Sequence, residues 1–168
     1  GRITKLFTGF DANYVYLGND ADSLFFMTTA GAPNWRVLAV DRAAPSAASA
    51  RTIVPEAAAA IESADIAGDR VLVSYVQDAR NVVKLFERDG RPVGDVRLPG
   101  SGSAGNFEAK SGQAEVFFSF SDYLAPTRIL RLDAATNAVS AFRTPKIDAD
   151  TSIYVTDQVF YASKDGTK

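Results

Sequence analysis

One pattern, stated three times, restricts this 168-residue chain more than any other feature. Ser23-Leu24-Phe25-Phe26-Met27-Thr28-Thr29 is followed by a loop and then Trp35-Arg36-Val37-Leu38-Ala39-Val40-Asp41. The same order recurs in Arg70–Val76 with Asn81–Asp89, and again in Glu115–Ser121 with Thr127–Asp133. Each unit is an apolar run, a polar loop, a second run and an Asp that opens a turn. The Asp residues stand at 41, 89 and 133, spacings of 48 and 44. A further β-prone run follows each turn (Arg51–Val54, Val93–Leu98, Ala138–Phe142), and another precedes each unit (Asn13–Leu17, Ile61–Ile66, Asn106–Lys110).

Alternating apolar residues, as in Val71-Leu72-Val73-Ser74-Tyr75-Val76, mark strands with one buried face. Asp89-Gly90, Gly112-Gln113, Thr136-Asn137 and Asp165-Gly166 are turn formers between the runs. Helical signal is weak. Pro55-Glu56-Ala57-Ala58-Ala59-Ala60 has the composition of a short helix start but runs into a strand-like segment, and Pro45 breaks Ala43–Ala50 into a loop. Four strands per unit at a period near 45 is the mark of β-propeller blades. The rival architecture, a β-sandwich, needs no repeat. The expected fold is therefore all-β: a partial β-propeller of about three four-stranded antiparallel blades, over about 12–54, 59–98 and 103–143. Arg2–Leu6 reads as the outer strand of a preceding blade, and Ser152–Ala162 as a strand without a return partner.

Composition narrows the function. The chain has no Cys and no His, so it assembles no disulfide, no thiol chemistry, no Ser-His-Asp unit and no His- or Cys-based metal site. A net charge of −2 argues against nucleic acid as a partner, and no apolar run approaches a membrane-spanning helix. Gly1-Arg2-Ile3-Thr4-Lys5 lacks the apolar core of a secretion signal, and no compartment is assigned. No cofactor is expected.

Three local motifs read as structure. Gly100-Ser101-Gly102-Ser103-Ala104-Gly105 matches G-x-G-x-x-G, but strand-like residues follow it where a nucleotide site needs a helix. It reads as a connection between blades. Asp20/Asp22 and Asp148/Asp150 are carboxylate pairs without the Gly and distal Glu of a calcium loop, and read as turn residues. The aromatic clusters Phe25-Phe26, Phe117-Phe118-Phe120 and Phe160-Tyr161 read as packing between blades. Asn34, Trp35, Arg36, Asp78, Arg80, Tyr123 and Arg128 fall at the loops joining second and third strands of successive blades, so they should emerge on one face, as a polar interface or as ordinary surface loops.

Ala32-Pro33-Asn34-Trp35-Arg36-Val37-Leu38-Ala39-Val40-Asp41, Gln77-Asp78-Ala79-Arg80-Asn81, Phe118–Pro126 and above all Gln158-Val159-Phe160-Tyr161-Ala162-Ser163-Lys164-Asp165-Gly166-Thr167-Lys168 resemble the prolyl oligopeptidase family of serine peptidases. The resemblance implies the last three blades of a seven-bladed ring over residues 1–150, within the usual range for propellers. It implies that 151–168 begin a missing α/β-hydrolase catalytic domain. Catalytic residues would lie beyond this chain. The implied role is a non-catalytic gate that admits only short proline-containing peptides to the hydrolase domain. The alternative is a stand-alone propeller scaffold without peptidase activity. Open faces on the terminal blades imply self-association, or packing of the terminal segments over those faces.

Overall fold

The computed structural model describes residues 3–110, 112–146, 151 and 153–166. Twelve strands form three antiparallel sheets of four, each in chain order. The first holds β1 (Tyr14–Asn19), β2 (Ser23–Thr28), β3 (Arg36–Asp41) and β4 (Arg51–Val54). The second holds β5 (Ala60–Ala67), β6 (Arg70–Gln77), β7 (Arg80–Glu87) and β8 (Pro92–Asp95). The third holds β9 (Ser103–Ala109), β10 (Glu115–Ser121), β11 (Arg128–Asp133) and β12 (Ala138–Arg143). The sheets stand side by side as blades of a partial β-propeller.

The recurring Asp has a physical reason. Its carboxylate accepts a backbone N–H two residues on: Ala43 to Asp41 at 2.8 Å, Arg91 to Asp89 at 3.0 Å and Ala135 to Asp133 at 2.9 Å. Each closes the turn between third and fourth strands.

Blade packing follows from strand parity. Residues directly opposite in an antiparallel pair point to one face. Val71, Val73, Tyr75 and Phe86 of the second blade join Phe25, Met27, Val37, Ala39, Ile53 and Val54 of the first in one core. Leu72, Val83 and Leu85, from the other face, join Val116, Phe118, Phe120, Leu130 and Leu132 of the third in a second core. Each fully buried Val, Leu or Phe contributes roughly 1.5–3 kcal/mol by leaving water. Ser74 is the one fully buried hydroxyl on β6, and the Asn81 amide donates to it at 3.1 Å.

The outcome departs from the sequence reading in three places. Ile3–Leu6 form no strand, and Arg2 lies outside the described residues. An outer strand pairs with the third strand of its own blade, and among the described residues no strand pairs with Ile3–Leu6. Residues 153–163 are likewise not a strand; among the described residues no strand runs alongside them, and Ile153, Val155, Val159 and Tyr161 are 73%, 82%, 77% and 80% exposed. Ser152, Asp148 and Asp150 lie outside the described residues. Pro55–Ala59 is a linker with no helix, and the single helical turn falls at Ala47–Ser49, where the Ser46 and Ser49 side chains cap each other's backbone. The glycine-rich run behaves as read: Gly102 leads directly into β9, with no helix after it.

Close approach between blades sets Gly90. Gly90 has φ +96° in the β7–β8 turn, and a Cβ there would lie 2.2 Å from the Ile53 carbonyl of the first blade. Asn137 fills the corresponding turn of the third blade at φ +57°, and its amide reaches the Asp95 carbonyl of the second at 3.0 Å. Arg88 adds an ion pair to Asp20 of the first blade at 2.6 Å, donates to the Gly68 carbonyl and lies 5.8 Å from the Phe25 ring centre. Burial acts to raise the Asp20 carboxyl, but the N–H groups of Asp22 and Ser23 and the Arg88 guanidinium hold it below its ordinary value.

The first strands lie beside one another, β1 by β5 and β5 by β9. Gly18, Asp65 and Glu108 hold equivalent places, opposite Phe25, Leu72 and Phe117. Burial pushes the Asp65 carboxyl up to about 6, and the Glu108 charge adds to the rise. The folded state therefore holds this proton more tightly than the unfolded chain. Its contribution is complete below the ordinary Asp pKa of about 4 and is lost as pH rises through about 6.

Two outcomes follow. Gly90→Ala lowers stability by about 2–3 kcal/mol in urea unfolding, whereas Gly105→Ala, where a Cβ meets nothing within 4 Å, changes it little. Asp65→Asn raises the thermal midpoint, and the gain measured by circular dichroism is larger at pH 7.5 than at pH 5.

Candidate functional site

Strands alternate in direction, so the β2–β3, β6–β7 and β10–β11 loops share one end of the arc with the interblade linkers 55–59 and 99–102. Sequence analysis placed seven candidate residues there. The structure divides them by what their polar groups already do.

Asn34 is spent on the first linker. Its N–H meets the Glu56 carboxylate at 2.6 Å, its amide donates to the Ala57 and Ala58 carbonyls at 3.1 and 3.4 Å, and its carbonyl accepts from Ile61 N at 3.0 Å. Trp35, at φ +69°, turns its ring onto the core between the first two blades. Arg36 opens β3 and is half-buried. Arg128 pairs with Asp122 at 2.8 Å and lies 5.3 Å from the Phe120 ring centre, which holds the β10–β11 loop in place. These four shape the loops.

Asp78, Arg80 and Tyr123 come together. With Ser101, Gly102 and Thr156–Gln158 they line a pocket of about 410 Å³ between the second and third blades. Arg80 donates to the Ser101 hydroxyl at 3.3 Å, and Gln158 Nε2 donates to the Asp78 carbonyl at 2.6 Å. Tyr123 is 85% exposed at the pocket mouth. Among the described residues, none of Asp78, Arg80 and Asp157 forms an ion pair.

Asn81 is the residue that sequence reasoning missed. Its amide donates to Glu62 at 2.5 Å as well as to Ser74, its side-chain oxygen accepts from Ala104 N at 2.9 Å, and its N–H reaches the Gly102 carbonyl at 3.1 Å. It fixes the wall beside Arg80 by joining two blades. An Asn at a strand start looks like any other polar loop residue in sequence. The Thr156–Gln158 wall was also missed, because that segment read as strand.

A larger cleft of about 640 Å³ lies between the first linker and the outer part of the second blade. Val54, Pro55, Ala57, Tyr75, Phe86 and Pro92 line much of it together with Glu56, Asp78, Lys84 and Asp95, the last two already paired at 3.4 Å. Asp20 and Asp22 are turn residues, as read from the sequence: the Asp20 carboxylate accepts from Asp22 N, Ser23 N and Arg88. Among the described residues, no group of three or more acidic side chains converges on a metal position.

The family described as "Prolyl oligopeptidase, N-terminal beta-propeller domain" matches residues 1–145. A prolyl endopeptidase of Elizabethkingia meningoseptica is 31% identical over 163 residues, covering 97% of this chain and 23% of that protein. A prolyl endopeptidase of Dictyostelium discoideum is 28% identical over 179 residues, covering 99% and 23%. A solved structure from a study of two prolyl endopeptidases, concerned with inter-domain dynamics in catalysis and specificity, superposes with a TM-score of 0.88 at 36% identity, over 99% of this chain and 24% of that one. Apo prolyl oligopeptidase B from Galerina marginata shares the fold with a TM-score of 0.84 at 23% identity. The chain spans about a quarter of the length of the relatives it matches.

The hairpin that carries Asp78 is strained. Asp78 and Ala79 sit at φ +51° and +57°, the conformation of a two-residue turn that favours Gly at its second place. Ala79→Gly therefore stabilises the chain by about 0.5–1 kcal/mol in urea unfolding, because the left-handed cost of Ala exceeds the added entropy of Gly.

Proposed function

The chain belongs to the prolyl oligopeptidase family, as part of its N-terminal β-propeller domain, and from that premise we propose that it gates access to the hydrolase domain of a post-proline-cleaving serine endopeptidase. The single observation behind this reading is the row of three radial sheets under a family match that runs to residue 145. Packed sheets make walls that exclude whatever is wider than the openings between them. Such a ring admits short peptides and keeps folded proteins out, with access governed by loop or domain motion.

The boundary proposed from the sequence fits this frame. The propeller lies within residues 1–150, with blades over about 12–54, 59–98 and 103–143, and 151–168 open the hydrolase domain. In support, β12 ends at Arg143 and the family match at 145, while the likeness to a solved prolyl endopeptidase continues over 99% of the chain. The apolar side chains of 153–161 then belong against that domain rather than in water. Asp78, Arg80 and Tyr123 face it or the peptide chamber, and Asn34, Trp35, Arg36 and Arg128 hold the loops that present them. Chemistry comes from the hydrolase domain, since this chain supplies neither His nor Cys.

The terminal blades leave two further surfaces. The outer face of the third carries Phe117 against Phe142, which is 54% exposed; that of the first carries Tyr16, also 54% exposed, and Phe26 against Phe7. Neighbouring blades cover such faces in a ring, and in this chain on its own a second copy would do so.

A chimera decides the gate. Residues 1–145 replace the matching stretch of the Elizabethkingia meningoseptica enzyme, and cleavage is compared on a short proline peptide and on a folded proline-containing protein. The chimera cleaves the first and spares the second, while the 168-residue chain alone turns over neither. Cleavage of the folded protein at a comparable rate refutes the gate, and turnover by the chain alone refutes its non-catalytic role.

A further inference from the structure

We propose that the pocket between the second and third blades binds free di- and tripeptides by both termini, the carboxylate on Arg80 and the ammonium on Asp78 and Asp157. This deepens the gating reading, because it rests on that end of the arc facing the peptide chamber.

Charge distribution carries the argument. Three half-buried charge pairs of this chain are matched, Asp20 with Arg88, Asp122 with Arg128 and Glu87 with Arg70, whereas Asp78, Arg80 and Asp157 are exposed and open to a ligand. At this pocket one cation and two anions converge and none is matched among the described residues. Arg80 makes one bond, to a neutral hydroxyl at 3.3 Å, which leaves most of its five N–H donors unspent. A guanidinium is shaped to take a carboxylate through two parallel bonds. A wall with both signs of charge selects a ligand with both signs. A single anion would meet repulsion from Asp78 and Asp157, and a single cation from Arg80.

Size and the neutral lining agree. A volume of about 410 Å³ lies in the lower part of the range for small-molecule sites, enough for two or three residues and too small for a long chain. Ser101, Tyr123 and Thr156 add hydroxyls for the peptide amides, and the exposed Tyr123 ring is placed to cover an apolar side chain at the mouth. The walls come from three separate segments, the β6–β7 hairpin, the β10–β11 loop and Thr156–Gln158. The only hydrogen bond seen between the last and the first is Gln158 Nε2 to the Asp78 carbonyl. A bound peptide would cross-link all three.

The test is an NMR titration of the 168-residue chain with Ala-Pro, N-acetyl-Ala-Pro and Ala-Pro-amide. Ala-Pro moves the Ser101, Gly102 and Gln158 amide signals saturably, and each blocked form binds at least about tenfold more weakly, the loss expected for one charge-assisted contact. Arg80→Gln removes the discrimination against the amide, and Asp157→Asn weakens that against the acetylated form. Equal binding of the blocked peptides, dependence on only one terminus, or no saturable shift at millimolar peptide overturns the proposal. The wild-type chain suffices for these outcomes, so a misfolded variant does not obscure them. Binding without size exclusion in the chimera would sink the gate and leave this site, and the reverse result would sink this site alone.

Discussion

The arc depends on one constraint, that β6 and β7 are apolar on both faces. A half-buried strand alternates apolar and polar residues, and one with sheets on either side cannot. Val71, Val73 and Tyr75 point into one core while Leu72 points into the other, and β7 divides Phe86 from Val83 and Leu85 in the same way. This two-sided burial makes the second blade the shared wall of both cores. The terminal blades need only one apolar face each among these residues. That difference appears in β12, where Phe142 is exposed, and in Glu115 paired with Arg131 on the outer face of the third blade.

The blade pattern was legible because it rests on local chemistry. Alternation names a strand, an Asp that accepts the N–H two residues on names the turn after it, and a repeat near 45 residues names the blade. What failed to read was whatever depends on a partner elsewhere. The runs at Arg2–Leu6 and Ser152–Ala162 have strand composition, but a strand exists only when a neighbour takes its hydrogen bonds. Trp35 looked like an exposed loop aromatic, and its φ of +69° turns it onto the core instead. Of the candidate site, Asp78, Arg80 and Tyr123 were found from their register in the repeat. Ser101, Asn81 and Gln158 were not, since their roles come from segments that meet only in three dimensions.

Polar groups at the seams complement the apolar cores without repeating them. Between the first and second blades the ties are Arg88 with Asp20, and Asn34 with its linker. Between the second and third they are Asn81, serving Ser74, Glu62 and Ala104, and Asn137 on the Asp95 carbonyl. Each satisfies donors or acceptors that would otherwise be costly to bury. Asp65 is the exception among the inner strands. Burial and Glu108 both work against its charge, so this position trades stability for a carboxylate beside the axis of the arc.

The two ends of the blades therefore do different work. At the end carrying the β1–β2, β5–β6, β7–β8 and β11–β12 connections, polar groups are matched and backbones touch: Asp20 meets Arg88, Gly90 lies against Ile53 and Asn137 binds the next blade. At the other end, Asn34, Asn81 and the Arg128–Asp122 pair hold the loops, and Asp78, Arg80 and Asp157 remain unmatched around an open pocket. Unmatched charges in a pocket contribute little to folding, and they are the groups able to recognise a charged ligand. Rigid walls locked at one end can carry such groups at the other, because Asp78, Arg80 and Asp157 are exposed and water solvates their charges without cost to the cores. In the proposed gate, that separation would let unchanging packing set the aperture and leave selection to a few side chains at its rim.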